Sequence, residues 1–421
     1  MSADVVIVGA GPAGTAAAVT LARAGRDVVV VDRARFPRDK TCGDGLTAGA
    51  LRLLEEMGLP AATVESWQRV DDVVLRAPSG REATFPLPRE GGRFAVVAPR
   101  MDLDAALVDL ARSAGAEVLE GHALLGATDH PERIVVGVEG IGEVQARYAV
   151  GADGAWSPLR KALGAWVEGY RGDWHAFRQY VAGVGPRAAR ALWVSFEPDL
   201  LPGYLWSFPL AGGRANVGFG VARGGRHTVR DMAPLWRDLL RRPHVRAVLG
   251  DAAAPEGPHR AWPIPARIDG VPLSAGRALF AGDAAAASDP MTGEGIGQAL
   301  LTGVLAAEAI DSAGPYDAHL ARQRYEVAVR RQLVPDHRLA RALLAVLGTR
   351  GGADWSIAAC AATPWTRRNF ARWLFEDYPR AVLATPRRWH AGMFTGPGAY
   401  RSSASSAGAA MAASVTGPLR P

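Results

Sequence analysis

The order of apolar and polar positions at the start of the chain specifies a strand, a turn, a helix and a second strand. Residues 5–8 are an unbroken apolar run, as expected of a strand covered on both faces. Gly9, Gly11 and Gly14 follow at once, residues 15–24 are small and mostly apolar, and residues 28–31 form a second apolar run ending in Asp32. Helical spacing returns at 48–57 and 101–114, while residues 70–98 alternate apolar and polar positions between turn residues. Short strands are expected at 118–119, 123–128, 134–138 and 145–150. Between 173 and 265 aromatic and β-branched residues predominate, with candidate strands at 175–184, 191–196, 204–209 and 215–221 and a helix at 229–241. This reads as an antiparallel sheet with a helix packed on it. The pattern then reverts to a strand at 278–281, a glycine-rich turn, a helix to 310 and one long helix over 317–347. The tail from Ser402 is built of small residues and is expected to be loosely ordered.

Each part of the opening unit suits a dinucleotide. Gly9 permits the tight turn, Gly11 lets backbone approach a pyrophosphate, and Gly14 lets helix and strand pack closely. Pro12 and Ala13 lie in the same turn, and the helix start offers free N–H groups and the positive end of its dipole. Asp32, followed by Arg33, stands where an acid accepts from a ribose hydroxyl.

Composition narrows the class. The 421 residues suffice for two or three structural units, and 48% of them are apolar, enough for a sizeable core. The net charge of +6 rests almost wholly on arginine, with Lys40 and Lys161 the only lysines. No basic block is interleaved with aromatics, so nucleic acid is not an expected partner. Cys42 and Cys360 are the only cysteines; they make neither a disulfide framework nor a metal-ligand spacing, and fit a reducing cytoplasm. The N-terminus enters a strand without a charged leader, so no signal peptide is expected. No apolar run reaches membrane-spanning length.

Further stretches sharpen the cofactor to FAD. Asp153-Gly154 follows a strand and precedes a helix, and Gly282-Asp283 lies at another strand end, where an acid can reach a ribityl hydroxyl. The segment TGEGIGQAL, with Gly293, Gly295 and Ile296, opens a helix whose N–H groups can face an isoalloxazine edge or a pyrophosphate. Arg100 in APRMDLDAAL can pair with phosphate. In this order, over roughly residues 1 to 310, these motifs resemble the FAD-dependent family with the para-hydroxybenzoate hydroxylase fold. The resemblance implies FAD contacts at Gly11, Gly14, Asp32, Arg100, Asp283 and the backbone of Gly295 and Ile296, and an adenine contact at Leu124. It implies an α/β fold, α+β overall. A Rossmann-like FAD-binding domain would be assembled from 1–70, 99–165 and 275–312. An antiparallel-sheet substrate domain would occupy 71–98 and 166–274, a helical region 313–398, and a flexible tail 399–421. There is no second glycine fingerprint, so the reductant, NAD(P)H or a protein electron donor, would visit the flavin transiently.

Two stretches resemble the geranylgeranyl reductase branch of that family, whose bacterial members include menaquinone side-chain reductases. One is DKTCGDGL, with Cys42, Gly43, Asp44 and Gly45; the other is PGYLWSFPLAGGRANVGFGV. DPMTGEGIGQALLTG, with Pro290, and TPWTRRNFARWLFEDYPRA extend the likeness over nearly the whole chain. Tyr204, Trp206 and Phe208 alternate along one strand and so share a face, which could wall an apolar pocket for an isoprenoid chain; an ordinary sheet core would use the same rings. The resemblance puts Cys42 close to the flavin. There it is either a proton donor to the alkene or a small packed thiol, and Gly43 and Gly45 allow close backbone approach.

The implied activity is hydride transfer from reduced flavin to an alkene of a polyprenyl substrate, with a proton added next to it. The same fold also performs FAD-dependent hydroxylation of aromatic or polyketide intermediates, and fold alone does not choose. Halogenation fits less well, since the aromatic element reads YLWSFP rather than WxWxIP and lysines are scarce. A flavin-carrying electron-transfer or binding protein is the third class, and a substrate-sized pocket would argue against it. Residues 363–394 mix tryptophans and phenylalanines with arginines, the pattern either of a helical cover or of a peripheral contact at the inner face of a membrane. His175, His227 and His259 stand alone and read as core or surface residues. The pattern says nothing of oligomeric state.

Overall fold

The computed structural model describes residues 1–401. Its first sheet has eight strands. A run in the order 274–275, 278–280, 142–151, 2–8, 28–32 and 117–120 carries a hairpin, Leu124–Asp129 and Ile134–Val138, on its 142–151 strand. Ser2–Val8 lies between two parallel partners, with Val5 opposite both Val28 and Tyr148, and Val5, Val6 and Ile7 are buried. That double covering explains the unbroken apolar run. The helices Pro12–Arg23 and Ile296–Ala313 cross so closely that a Cβ on Gly303 would overlap the Ala13 carbonyl. The two ends of the nucleotide unit, nearly 300 residues apart, are thereby locked together.

The second sheet has seven strands in the order 254–264, 174–182, 214–222, 205–210, 192–195, 72–76 and 82–86. It is antiparallel except where Leu192–Ser195 runs parallel to Asp72–Arg76. The strand Ala95–Val97 stands apart from it and pairs instead with Gly45–Thr47 and Gln68–Arg69 in a three-stranded sheet.

Three features depart from the sequence reading. Ala254–Ile264 is an edge strand that the pattern hides, because it holds three prolines and no alternation. An edge tolerates proline, since one row of N–H groups is unpaired there. The long helix expected over 317–347 is two, Ala318–Gln332 and Val334–Leu347, because Pro335 has no N–H to continue the first. Residues 399 and 400, expected to begin the tail, are tied down: Ala399 bridges Arg93, and Tyr400 packs edge-on against Trp67 and donates to Leu59 O. The rest of the expected tail, from Ser402, lies outside the described residues. Among the described residues no helix is long and apolar enough to cross a membrane.

Candidate active site

The phosphate end of the site follows from the glycines. Gly9 has φ +102°, and a Cβ there would overlap Ala152 O; one on Gly14 would overlap Gly9 O. The helix Pro12–Arg23 starts from Gly11 without a side-chain cap, so its first N–H groups are left for an anion. Asp32 accepts from Ala10 N at 2.7 Å and Ala34 N at 2.8 Å, which pins the turn while each oxygen keeps a second lone pair. Arg100 pairs with buried Asp104 through two 2.7 Å bonds, and Arg38 reaches the same carboxylate at 2.8 Å. Two cations on one anion leave a net positive charge beside Gly11, whose missing Cβ would sit 3.8 Å from Arg38 Nη2 and 4.0 Å from Arg100 Nη2. Burial works against the charge on Arg100, but Asp104 more than offsets it and the guanidinium stays protonated. Sequence reading missed Arg38, and also Lys40, whose ammonium lies 3.6 Å from the Trp262 ring centroid and is pulled down to about 8, mainly by burial. For Lys40 the signal was the sheer scarcity of lysine, together with its place in the loop before Cys42.

The other end of the nucleotide unit supplies a second helix start. Ile296–Ala313 begins from Gly295, which has no side chain to cap it, and the preceding Glu294 accepts at Oε1 from Gly297 N at 2.8 Å. The turn before it is held by Asp289, whose Oδ1 accepts from Met291 N at 3.0 Å, Thr292 N at 2.8 Å and Thr292 Oγ1 at 2.9 Å. Asp153 accepts from Leu159 N at 2.8 Å, so it organises the turn that follows its strand, and burial pushes it up to about 6.

The Cys42–Gly45 loop is hung from the second sheet. Asp44, with φ +64°, is fully buried and accepts at Oδ2 from Tyr180 and from Asn216 Nδ2, both at 2.8 Å. Asn216 Nδ2 also donates to Cys42 O at 2.8 Å, and its Oδ1 accepts from Trp206 Nε1 at 3.0 Å. One amide therefore ties the loop, the aromatic strand Leu205–Leu210 and its neighbour together. Burial raises the Asp44 carboxyl to about 6 despite these donors. Burial likewise lifts the Cys42 thiol above its usual range, with Arg100 pulling the other way. Ring edges of Phe208 lie 3.3 Å from where Cβ atoms on Gly43 and Gly45 would be, and Trp206 fills the space a side chain on Gly218 would take. This is why glycine stands at 218 in the segment NVGFG.

These pieces line one cavity of about 1910 Å³. A drug-sized ligand fills roughly 300–1,000 Å³, so the space exceeds one such molecule. Of the expected cofactor residues, Gly9, Gly11, Pro12, Ala13, Asp32, Arg33, Cys42, Gly43, Asp44, Gly45, Arg100, Leu124, Asp153, Gly154, Gly282, Asp283, Gly293, Gly295 and Ile296 are all on its wall. Gly14 is not; it serves the packing of helix on strand. Tyr204, Trp206, Phe208 and Pro290 are on the wall, whereas Leu205, between the rings, is buried in the core on the other face. Leu339, Leu343, Leu347, Trp355 and Leu383 of the helical region complete it, and sequence reading had given them no part in the site. Among the described residues no cluster of metal ligands exists.

FAD suits this chemistry. An uncapped helix start at Gly11, a glycine turn open to backbone approach, excess positive charge at Gly11 and an acid at the end of each of two strands match its pyrophosphate and hydroxyls.

Comparison with known proteins agrees. The FAD binding domain family matches residues 2–307. A menaquinone reductase of Mycolicibacterium smegmatis is 37% identical over 340 residues, 75% of this chain and 78% of that protein. A digeranylgeranylglycerophospholipid reductase of Methanopyrus kandleri is 34% identical over 73% of this chain and 80% of its own length. The crystal structure of a geranylgeranyl bacteriochlorophyll reductase-like protein from Thermoplasma acidophilum superposes with a TM-score of 0.76 at 22% identity, covering 92% of this chain and 99% of that one. With its nucleotide cradle, its hung cysteine loop and these relatives, the chain belongs to the geranylgeranyl reductase family of FAD-dependent oxidoreductases.

Proposed function

We propose that the protein saturates carbon–carbon double bonds of a polyprenyl chain, of the menaquinone side-chain or geranylgeranyl-lipid class, with electrons brought to FAD by NAD(P)H or a protein donor. One observation carries this reading: the cavity that holds the nucleotide cradle continues, without a partition, along an aromatic and aliphatic wall formed by Tyr204, Trp206, Phe208, Leu339, Leu343 and Leu347. A polar, aromatic-ring substrate would not need so much apolar length; an isoprenoid does. FAD, when reduced, supplies a hydride. The protein's part is to lay the chain against it, keep water out and provide a proton.

The cavity opens where its own wall meets solvent. Trp355 is 70% exposed and Leu383 88%, and Trp389, also exposed, donates to Val382 O beside them. Exposed Arg330 and Arg338 line the same cavity. Apolar side chains rimmed by cations suit the interface of an anionic membrane, from which a polyprenyl tail could pass into the cavity without crossing water. We infer a cytoplasmic protein in peripheral contact with the inner face of the membrane.

The test is anaerobic. The FAD-loaded protein is reduced, and menaquinone, geranylgeranyl lipid and aromatic candidates are added in turn. Reoxidation of the flavin by a polyprenyl compound without oxygen, with a product whose side chain is two mass units heavier after any quinone ring has been reoxidised in air, is the expected result. Reoxidation that requires oxygen and inserts it would replace the reading with hydroxylation.

A further inference from the structure

Next to the Gly293–Ile296 turn lies a group of buried and half-buried acids that the reaction, as described so far, leaves unused. Glu294, on the cavity wall, accepts at Oε1 from Gly297 N at 2.8 Å. Glu376, in left-handed backbone with φ +53°, follows the helix Pro364–Leu374. Its Oε1 accepts from Gln298 Nε2 at 2.9 Å and its Oε2 from Thr47 Oγ1 at 3.1 Å. Both glutamates thus converge on the first turn of one helix, Glu294 from just before it and Glu376 from 82 positions further along the chain.

The charges around them do not balance. Arg380 is the cation facing the group; its Nη1 is 2.7 Å from Asp289 and its Nη2 3.3 Å from Glu376. Asp336, the next acid, is already held by Arg388 at 2.7 Å. His337, which faces Asp289, is pushed down by burial, and its Nε2 lies 3.1 Å from Ala287 O, so it adds no charge at neutral pH. Asp289 is ionised: burial raises it, but Arg380 and the Thr292 donors hold it below its usual range. One guanidinium therefore serves Asp289 and two glutamates. Two like charges in a poorly solvated site do not both persist; one keeps its proton. Gln298 Oε1, buried in the same group, has no donor. A protonated carboxyl is the kind of donor it lacks.

We propose that Glu294 and Glu376 hold one proton between them, and that Glu294 delivers it to the alkene while Glu376 sets how firmly it is held. The proposal rests on the reductase reading above. Burial and the neighbouring Glu376 push Glu294 up to about 8, and burial raises Glu376 as well, which keeps the proton in place at neutral pH. In the step, one alkene carbon receives the hydride given up by reduced FAD. The π electron pair takes the Glu294 proton onto the neighbouring carbon, the O–H bond breaks, and a carboxylate remains. That carboxylate regains a proton from solvent before the next cycle, and the two electrons come from the external donor. Arg380, 3.3 Å from Glu376, steadies the extra negative charge in the interval.

The test has two arms on the full chain. In the first, infrared spectroscopy of the protein without substrate looks for a protonated-carboxyl C=O band that titrates near pH 8. Glu294→Gln should abolish it, and Glu376→Gln should move its titration to lower pH by removing the like charge. Glutamine keeps an acceptor for Gly297 N–H, so the helix start survives the change. In the second arm, FAD-loaded protein is reduced without oxygen and mixed with menaquinone. Glu294→Gln should bind FAD and be reduced normally, yet saturate the side chain, followed by mass after the quinone ring is reoxidised in air, about 100-fold more slowly or worse. A wild-type protein lacking the band, or a Glu294→Gln variant that turns over at the wild-type rate, overturns the inference while leaving the reductase reading intact. Failure of the wild-type protein itself to turn over with any polyprenyl compound overturns both.

Discussion

Asn216 Nδ2 donates to Asp44 Oδ2 over 2.8 Å, although the two residues are 172 positions apart in the chain. The same amide nitrogen reaches Cys42 O, and its oxygen takes the indole N–H of Trp206. The shape of the substrate side of the site therefore depends on one buried side chain that touches neither end of the cofactor cradle.

Replacing Asn216 with leucine takes a partner from three polar groups at once: the Cys42 carbonyl, the Trp206 N–H and the Asp44 carboxylate, which keeps only Tyr180. The expected loss is about 2–4 kcal/mol in urea unfolding, with a change in tryptophan fluorescence as the indole loses its partner. An unchanged midpoint would show that the loop stands without this tie.

Asp44 also makes a pH signature. Its folded pKa, raised to about 6 by burial, lies above the ordinary carboxylate value. Between those two values the folded state binds more protons than the unfolded one, so this group's contribution to stability falls as pH rises through the window and is most favourable at its acidic end. Asp44→Asn removes that dependence. Its stability relative to the parent should rise with pH between about 4 and 6 and level off above, by at most about 3 kcal/mol. Parallel urea titrations across that range check the sign.

Arg38 and Arg100 share Asp104 but should fail differently. Arg100 is buried with Asp104, and Arg100→Ala leaves that carboxylate with one partner, at a cost of about 3 kcal/mol or more. Arg38 is partly exposed and fills no core space, so Arg38→Ala should weaken FAD binding tenfold or more while moving the unfolding midpoint little. Fluorescence titration with FAD, set against chemical unfolding, separates the two. Equal effects on both measurements would mean that Arg38 is structural.

The exposed apolar rim predicts lipid binding. Trp355→Ser together with Leu383→Ser should reduce sedimentation with phosphatidylglycerol vesicles by tenfold or more, since each buried apolar side chain is worth about 1.5–3 kcal/mol. Anaerobic turnover of a short, water-soluble polyprenyl analogue should survive. Equal sedimentation of parent and variant would remove the rim from membrane contact.

Much of the cofactor half was legible along the chain because its signals are local. The apolar runs at 5–8 and 28–31, the glycines between them and Asp32 all act on neighbours within one βαβ unit. Tyr204, Trp206 and Phe208 could be assigned to one face from strand geometry alone, and all three line the cavity. Arg38 was not legible, because its importance comes from sharing Asp104 with Arg100, and nothing local marks that partnership. The edge strand 254–264 was hidden because its identity depends on pairing with 174–182 rather than on its own pattern.

The acids show the division most clearly. By itself, the sequence determined that a dinucleotide would lie on the glycine turn, that FAD was its kind, and that an aromatic strand stood near it, since backbone conformation and side-chain alternation are set over a few residues. Only the tertiary structure decided that Glu294 and Glu376, 82 positions apart, meet beside a single arginine. The physical reason is that charge balance in a buried site depends on which groups share the same small volume, and that is settled by packing, not by order along the chain.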